Sequence, residues 1–139
     1  MGVGRIYSEE HILILSLVSI PVQNPIEAHE LYTSKLGFIT KEFNPELNLA
    51  IVASSEDPQG VSILLEPCKG TFAESYQTSA YKANLPIMIF STQNVETELE
   101  RLKAQGVKLR PELNNPEWGL MNMFEDGCGN ILMLEEKSA

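Results

Sequence analysis

The run Asp126-Gly127-Cys128-Gly129-Asn130-Ile131-Leu132-Met133-Leu134-Glu135 reads as a tight turn feeding a short apolar strand that ends on a carboxylate. Gly127 and Gly129 allow a positive φ, and Asn130 tolerates one better than most residues. Ile131 to Leu134 is too short for a helix and suits a buried strand. The same pattern stands about half a chain earlier. Ser54 to Gly60 is turn chemistry, and Val61-Ser62-Ile63-Leu64-Leu65-Glu66 is again an apolar strand closing on Glu.

Outward from these two strand ends, the chain divides into similar halves. Residues 11–22 predict a long strand. Asn24-Pro25-Ile26-Glu27 predicts a helix start, with Asn24 as cap, Pro25 at the first helical position and Glu27 reaching back to the cap. That helix buries Ala28, Leu31, Tyr32 and Leu36 on one stripe and stops at Gly37. Phe38 to Asn44, Leu49 to Ala53 and Val61 to Glu66 follow as strands. Residues 67–84 read as a linker holding a short helix, since Phe72, Tyr76 and Ala80 recur at helical spacing.

In the second half, Leu85 to Phe90 predicts a strand. Asn94 opens a helix that buries Val95, Leu99 and Leu102 and ends at Gly106. Val107 to Arg110 is a short strand, residues 111–118 a loop, and Leu120 to Glu125 a strand before the closing run. The anchors Asn24 and Asn94, Gly37 and Gly106, Glu66 and Glu135 each lie about 70 residues apart, the mark of an internal repeat. The expectation is one α+β domain over residues 1–139. It holds two tandem β-α-β-β-β modules, about 11–66 and 85–136, joined by the linker. Each helix covers one face of its sheet, so the other face must be buried or line a cavity.

Composition narrows the function classes. A chain of 139 residues with 43% hydrophobic content has enough apolar material for a core. Ten Lys and Arg stand against 19 Asp and Glu, a formal charge of −9, which repels phosphate backbones and argues against nucleic acid. No basic amphipathic stretch points to a membrane surface. The apolar run Ile12 to Val22 is interrupted by Ser16, Ser19 and Pro21 and is too short to span a bilayer. Met1 to Arg5 superficially resembles the start of a signal peptide. Glu9, Glu10 and His11 precede the apolar run, however, and no small-residue cleavage site follows it. Cys68 and Cys128 show no CxxC spacing, so reduced thiols in a cytoplasmic protein are expected.

Leu31-Tyr32-Thr33-Ser34-Lys35-Leu36-Gly37-Phe38 resembles the FYxxxLGF signature of the vicinal oxygen chelate superfamily, which includes glyoxalase I, bleomycin-resistance proteins and extradiol dioxygenases. The stretch from Asp126 to Leu134 resembles its closing DPDGNxIEL motif, and Ser55 to Gly60 through Leu65-Glu66-Pro67 looks like a bacterial subgroup of it. The resemblance spans His11 to Glu136. It implies a curved, cup-like mixed sheet with helices outside. In metal-dependent members it also implies ligands on the concave face, where a divalent ion holds two adjacent substrate oxygens.

Carried onto this chain, the family's first-strand ligand position falls at or near Leu17, and its second-module counterpart at or near Pro86. The closing motif's Glu falls on Met133. Only Glu66 falls on a ligand position with a suitable side chain. The internal repeat pairs Glu66 with Glu135, whereas the family motif pairs it with Met133. His11 and His29 are the two histidines, with none in the second half, so each module cannot supply an imidazole. No cofactor is expected, and a divalent metal is disfavoured.

The reading is a small-molecule-binding protein of this superfamily that lacks most of the usual metal ligands. Leu17, Ser19, Met88, Phe90, Met121, Met123 and Met133 are expected to line the cup, with Glu66 as its polar group. Trp118 is either a lid or an edge packer, and Tyr76 and Tyr81 either reach the cup or pack. A homodimer is expected, its interface shaping the cavity. The alternative is a metal-dependent lyase or dioxygenase of the glyoxalase I type, with Glu66 in a non-standard ligand set completed by a second chain. A structural or regulatory partner without a ligand is the third reading.

Overall fold

The computed structural model describes residues 12–137. His11 and the signal-peptide-like start at Met1 to Arg5 lie outside the described residues. The first half runs β1 (Leu17–Val22), α1 (Pro25–Ser34), β2 (Ile39–Asn44), a single 3-10 turn at Pro45–Leu47, β3 (Leu49–Ala53) and β4 (Ser62–Pro67). Then come α2 (Phe72–Lys82), β5 (Met88–Thr92), α3 (Val95–Ala104), β6 (Leu113–Asn115), β7 (Gly119–Glu125) and β8 (Ile131–Glu136). Two four-stranded mixed sheets result, ordered β1-β4-β3-β2 and β5-β8-β7-β6. In each, the first and last strands pair in parallel and the remaining pairs are antiparallel. Among the described residues the fold is α+β, with two mixed sheets and three α-helices, and no barrel closes.

Local chemistry explains the helix starts. The Asn24 side chain accepts from Ile26 N at 3.0 Å and Glu27 N at 3.3 Å, ahead of Pro25. Asn94 accepts from Thr97 N at 2.9 Å, satisfying a donor that the first helical turn leaves open. Glu136 Oε1 adds a contact to Val95 N at 3.0 Å, tying the last strand to the start of α3.

Four expectations are corrected. Among the described residues, the first strand begins at Leu17, and residues 12–16 lie outside any strand. Instead of a strand over Val107 to Arg110 there is a single bridge between Leu109 and Phe124. The expected loop over residues 111–118 contains β6. Here Asn115 accepts from Glu117 N and Trp118 N, at 2.8 and 3.0 Å, and turns the chain back as a hairpin. In α2 the helical period holds, but Phe72 and Tyr76 are exposed, and Gln77 is buried with Ala80.

The helix sides of both sheets share one core. Ile20, Val22, Tyr32, Val52 and Leu65 from the first half meet Leu102, Phe124, Leu132 and Leu134 from the second. The closing turn is the joint between the halves. Asp126 Oδ2 accepts from Tyr32 Oη at 2.7 Å and Asn130 Nδ2 at 2.8 Å. Asn130 Nδ2 and Gln77 Nε2 both donate to Pro21 O, at 2.7 and 2.8 Å. Gln77 Nε2 also reaches Asn130 Oδ1 at 3.0 Å and Cys128 O at 3.1 Å. Gly129 has φ +102°, and a Cβ there would stand 2.8 Å from the Gln77 amide, so the joint has room only for glycine. Among the described residues, no helix is long and apolar enough to cross a membrane.

Candidate functional site

With Val18, Ile20, Val22, Ile63 and Leu65 turned to the helices, the two-residue alternation of a strand sends their neighbours to the opposite, open side. On the first sheet these are Leu17, Ser19 and Pro21, which pair with Ser62, Leu64 and Glu66. Ile51, opposite Leu64, joins them. On the second sheet the open side carries Ile89 and Ser91, which pair with Met133 and Glu135. Met123 lies opposite Met133 on the same side.

The register resolves the two possible pairings of Glu66. It sits beside Pro21, one residue before β1 ends, and Glu135 sits beside Ser91, one residue before β5 ends. Glu66 and Glu135 are therefore equivalent, and the counterpart of Met133 is Leu64. All four face the open side, because the two registers differ by two residues rather than one. Glu66 and Glu135 are exposed, and neither joins an ion pair among the described residues.

The expected lining residues separate. Leu17, Ser19 and Glu66 do face the open side, where Leu17 is 47% exposed. Met121, Met123 and Met133 face it too, but form a small buried cluster with Ile131, with Tyr81 of α2 packed against it. Met88 and Phe90 turn to the helix side instead of the open one and pack on the main core, where Phe90 also lines a cleft. The repeat already held that signal, since Phe90 is the counterpart of buried Ile20 and Ile89 that of Ser19. Trp118 is exposed at the β6–β7 turn. Leu64, Ile51 and Ile89 were missed, and alternation counted back from the Asn24 and Asn94 caps would have found the first-strand side of this face.

A clasp holds α2 to the second sheet. Glu125 accepts from Tyr81 Oη at 2.9 Å and Arg110 Nη1 at 3.0 Å, with Lys108 Nζ at 3.3 Å. The Arg110 guanidinium also lies 5.5 Å above the Tyr81 ring. Burial alone would raise the Glu125 carboxyl, yet hydrogen bonds from Arg110, Tyr81 and Lys108 hold it below the usual range. At the joint, burial outweighs the hydrogen bonds from Asn130 and Tyr32 and raises Asp126. Burial pushes both the Cys68 and Cys128 thiols up, which removes thiolate character from each.

The equivalent inward positions Leu64 and Met133 offer no strong ligand atom for a divalent ion. His29 lies on α1, shares a 2.7 Å hydrogen bond with Thr40 Oγ1 and stacks on Phe43. Among the described residues, no three His, Cys, Asp or Glu side chains converge to hold an ion. A cleft of about 970 Å³ opens on the helix side, between Phe38 and the Ser54–Asp57 turn of one half and Phe90, Phe124 and Leu134 of the other. It lies on the side of the sheets opposite the open faces.

A family model described as the Glyoxalase/Bleomycin resistance protein/Dioxygenase superfamily matches residues 11–134. The uncharacterized protein YurT of Bacillus subtilis (strain 168) is 34% identical over 123 residues, 87% of this chain and 97% of that protein. The crystal structure of UcmS2 superposes with a TM-score of 0.68 at 26% identity, covering 89% of this chain and 98% of UcmS2. TnmS3, an antibiotic binding protein from Streptomyces sp. CB03234, superposes at 0.66 with 24% identity, covering 94% of this chain and all of its own.

Proposed function

This chain belongs to the glyoxalase/bleomycin resistance protein/dioxygenase superfamily, and on that premise we propose that it binds and sequesters a small, largely apolar molecule without a metal ion. The carrying observation is the pair of open sheet faces. Each has apolar residues left half-exposed, Leu17 at 47% on one and Ile89 at 42% on the other. Each also ends on a carboxylate that joins no ion pair among the described residues, Glu66 or Glu135. Apolar area with a few polar groups suffices for retention and needs no reactive side chain. The antibiotic-binding TnmS3, with the same fold, supports that reading by analogy.

The cup is completed by a second copy. Among the described residues each chain has two sheets, and each sheet ends on an edge strand without an outer neighbour, β1 or β5. A two-fold dimer uses each open face twice and shapes two equivalent cavities. Expression in the cytoplasm keeps both buried thiols reduced.

Trp118 is the only tryptophan, so its fluorescence reports occupancy. Titration with a panel of flat, apolar antibiotics is expected to give a saturable change with at least one of them. No saturable change with any, followed by calorimetry without heat, would overturn sequestration of this class. Purification without chelator followed by elemental analysis is the second arm. One tightly held divalent ion per chain would replace this reading with a metal-dependent lyase or dioxygenase whose ligand set is shared between two chains. A monomer at micromolar concentration in sedimentation would remove the shared cup.

A further inference from the structure

The internal repeat builds the joint between the halves twice, and the two copies are finished differently. At the closing turn, Tyr32 of α1 reaches Asp126, and Gln77 holds Asn130 and Cys128 from beneath. Only a crevice of about 190 Å³ is left beside it, between Leu36 and Val107. At the other joint Leu102 of α3 is the counterpart of Tyr32 and has no hydroxyl to offer. The matching turn, between β3 and β4, is longer and runs over residues 54–61. Its bonds are local: Ser54 Oγ accepts from Glu56 N at 3.1 Å, and Ser54 O from Asp57 N at 3.2 Å. Here the space is about 970 Å³ among the described residues, enough for a drug-sized molecule.

The lining selects what such a molecule would be. Its floor is apolar. Phe38 and Phe90 meet there with ring centroids 5.3 Å apart, beside buried Phe124 and Leu134. Its rim is charged. The Arg101 guanidinium is already engaged, by Glu98 and by the carbonyls of Lys35 and Leu36 that end α1. That pair sums to no charge and fixes one wall. On the wall given by the first half, Glu56 and Asp57 are exposed and join no ion pair among the described residues. Lys137 is the further cation of the lining. Lys41 meets the same turn without lining the cleft, donating to Pro58 O at 3.0 Å. Two carboxylates against one lysine, in a chain of net charge −9, favour a positive guest over a negative one. Aromatic faces attract a cation as well.

We propose that this cleft is a second ligand site, which takes an apolar organic cation with its charge at Glu56 and Asp57 and its body on Phe38 and Phe90. It lies opposite the open faces, so it stands or falls apart from the sequestration proposed above. The two joints divide the work: the one closed by Asp126 holds the halves together, and the one left open by Leu102 receives the guest.

The test titrates the full chain with rhodamine 6G, a flat apolar cation, by fluorescence anisotropy, with tetraphenylphosphonium as competitor. One saturable, displaceable site per chain is expected. E56K/D57K on the exposed turn is expected to weaken binding by about tenfold or more, with an unchanged thermal midpoint. The milder E56Q/D57N is expected to weaken it less, and stands in if the reversal fails to fold. E66K/E135K on the open faces is expected to leave it within about twofold. No saturable binding overturns the inference, as does unchanged affinity in both turn variants. Loss confined to E66K/E135K would assign the cation to the open faces, and equal loss in both reversals would mark a general charge effect; either sinks the site. A self-association constant that E56K/D57K shifts, with no dye bound, would give the cleft to a second copy and overturn it too.

Discussion

The two sides of β4 are built from neighbouring residues and treated in opposite ways. Ile63 and Leu65 are buried against both helices and the second half, whereas Leu64 between them is only half-buried and Glu66 is exposed. The second sheet repeats the pattern at β5, where Phe90 packs in the core and Ile89 is left in solvent. The helix side is packed within one chain apart from the cleft between Phe38 and Phe90, and its buried polar groups at Asp126, Asn130 and Gln77 are paired. The open side is covered by α2 over Met121, Met123 and Met133 but leaves Leu17, Ile89, Glu66 and Glu135 exposed among the described residues. Stability therefore resides mainly on the first side, and the proposed sequestration on the second.

The sharpest attack on this division is a pair of substitutions in one sheet. Leu65→Ala removes a fully buried side chain and should cost about 2–5 kcal/mol in urea unfolding. Leu17→Ala on the open side should cost less than about 1 kcal/mol in the monomer. Equal losses would mean that the open side is also core.

Next in size is the joint. Asp126→Asn places an amide where one oxygen now accepts from both Tyr32 and Asn130. About 1–3 kcal/mol should be lost, with a lowered thermal midpoint. An unchanged midpoint would show that the polar joint is dispensable.

Acid titration should separate the two sides by sign. The Glu125 carboxyl is depressed in the folded chain, so its contribution is full above the unfolded value of about 4.3 and is lost as pH falls through the folded one. Asp126 is raised, so its titration contributes stability below about 3.9 that is lost as pH rises through its folded value. Glu125→Gln should remove up to about 1 kcal/mol at pH 7, and the gap from wild type should close on acidification. A gap that widens in acid would reverse the assignment. The smallest effect belongs to Glu66→Gln, which should leave stability within about 0.5 kcal/mol. A larger loss would show that Glu66 has a structural partner.

Much of the fold was legible because its signals are local. Asn24 and Asn94 announce helix starts by their own side-chain geometry, and the repeat follows from matched spacing of turn residues. The face of a strand was harder to read. Met88 and Phe90 turn to the core, and the sequence leaves this open because an apolar run such as Leu85 to Phe90 has no polar residue to mark which face is which. The pairing of Tyr81 with Glu125 gave no sequence signal, the two being 44 residues apart, and the same holds for Gln77 beneath the closing turn. Their partners are named only when the chain has folded.

The sequence alone determined the two β-α-β-β-β halves, the family, and the presence of Met133 where the family's motif has a glutamate. These depend on turn propensity, capping and periodicity, which act over a few residues. Tertiary structure alone decided that Asp126 to Asn130 is the joint between the halves. It also decided that Glu66 answers to Glu135, and which apolar residues stay uncovered. Those outcomes depend on strand register and on contacts between distant segments, where a shift of one residue exchanges core for solvent.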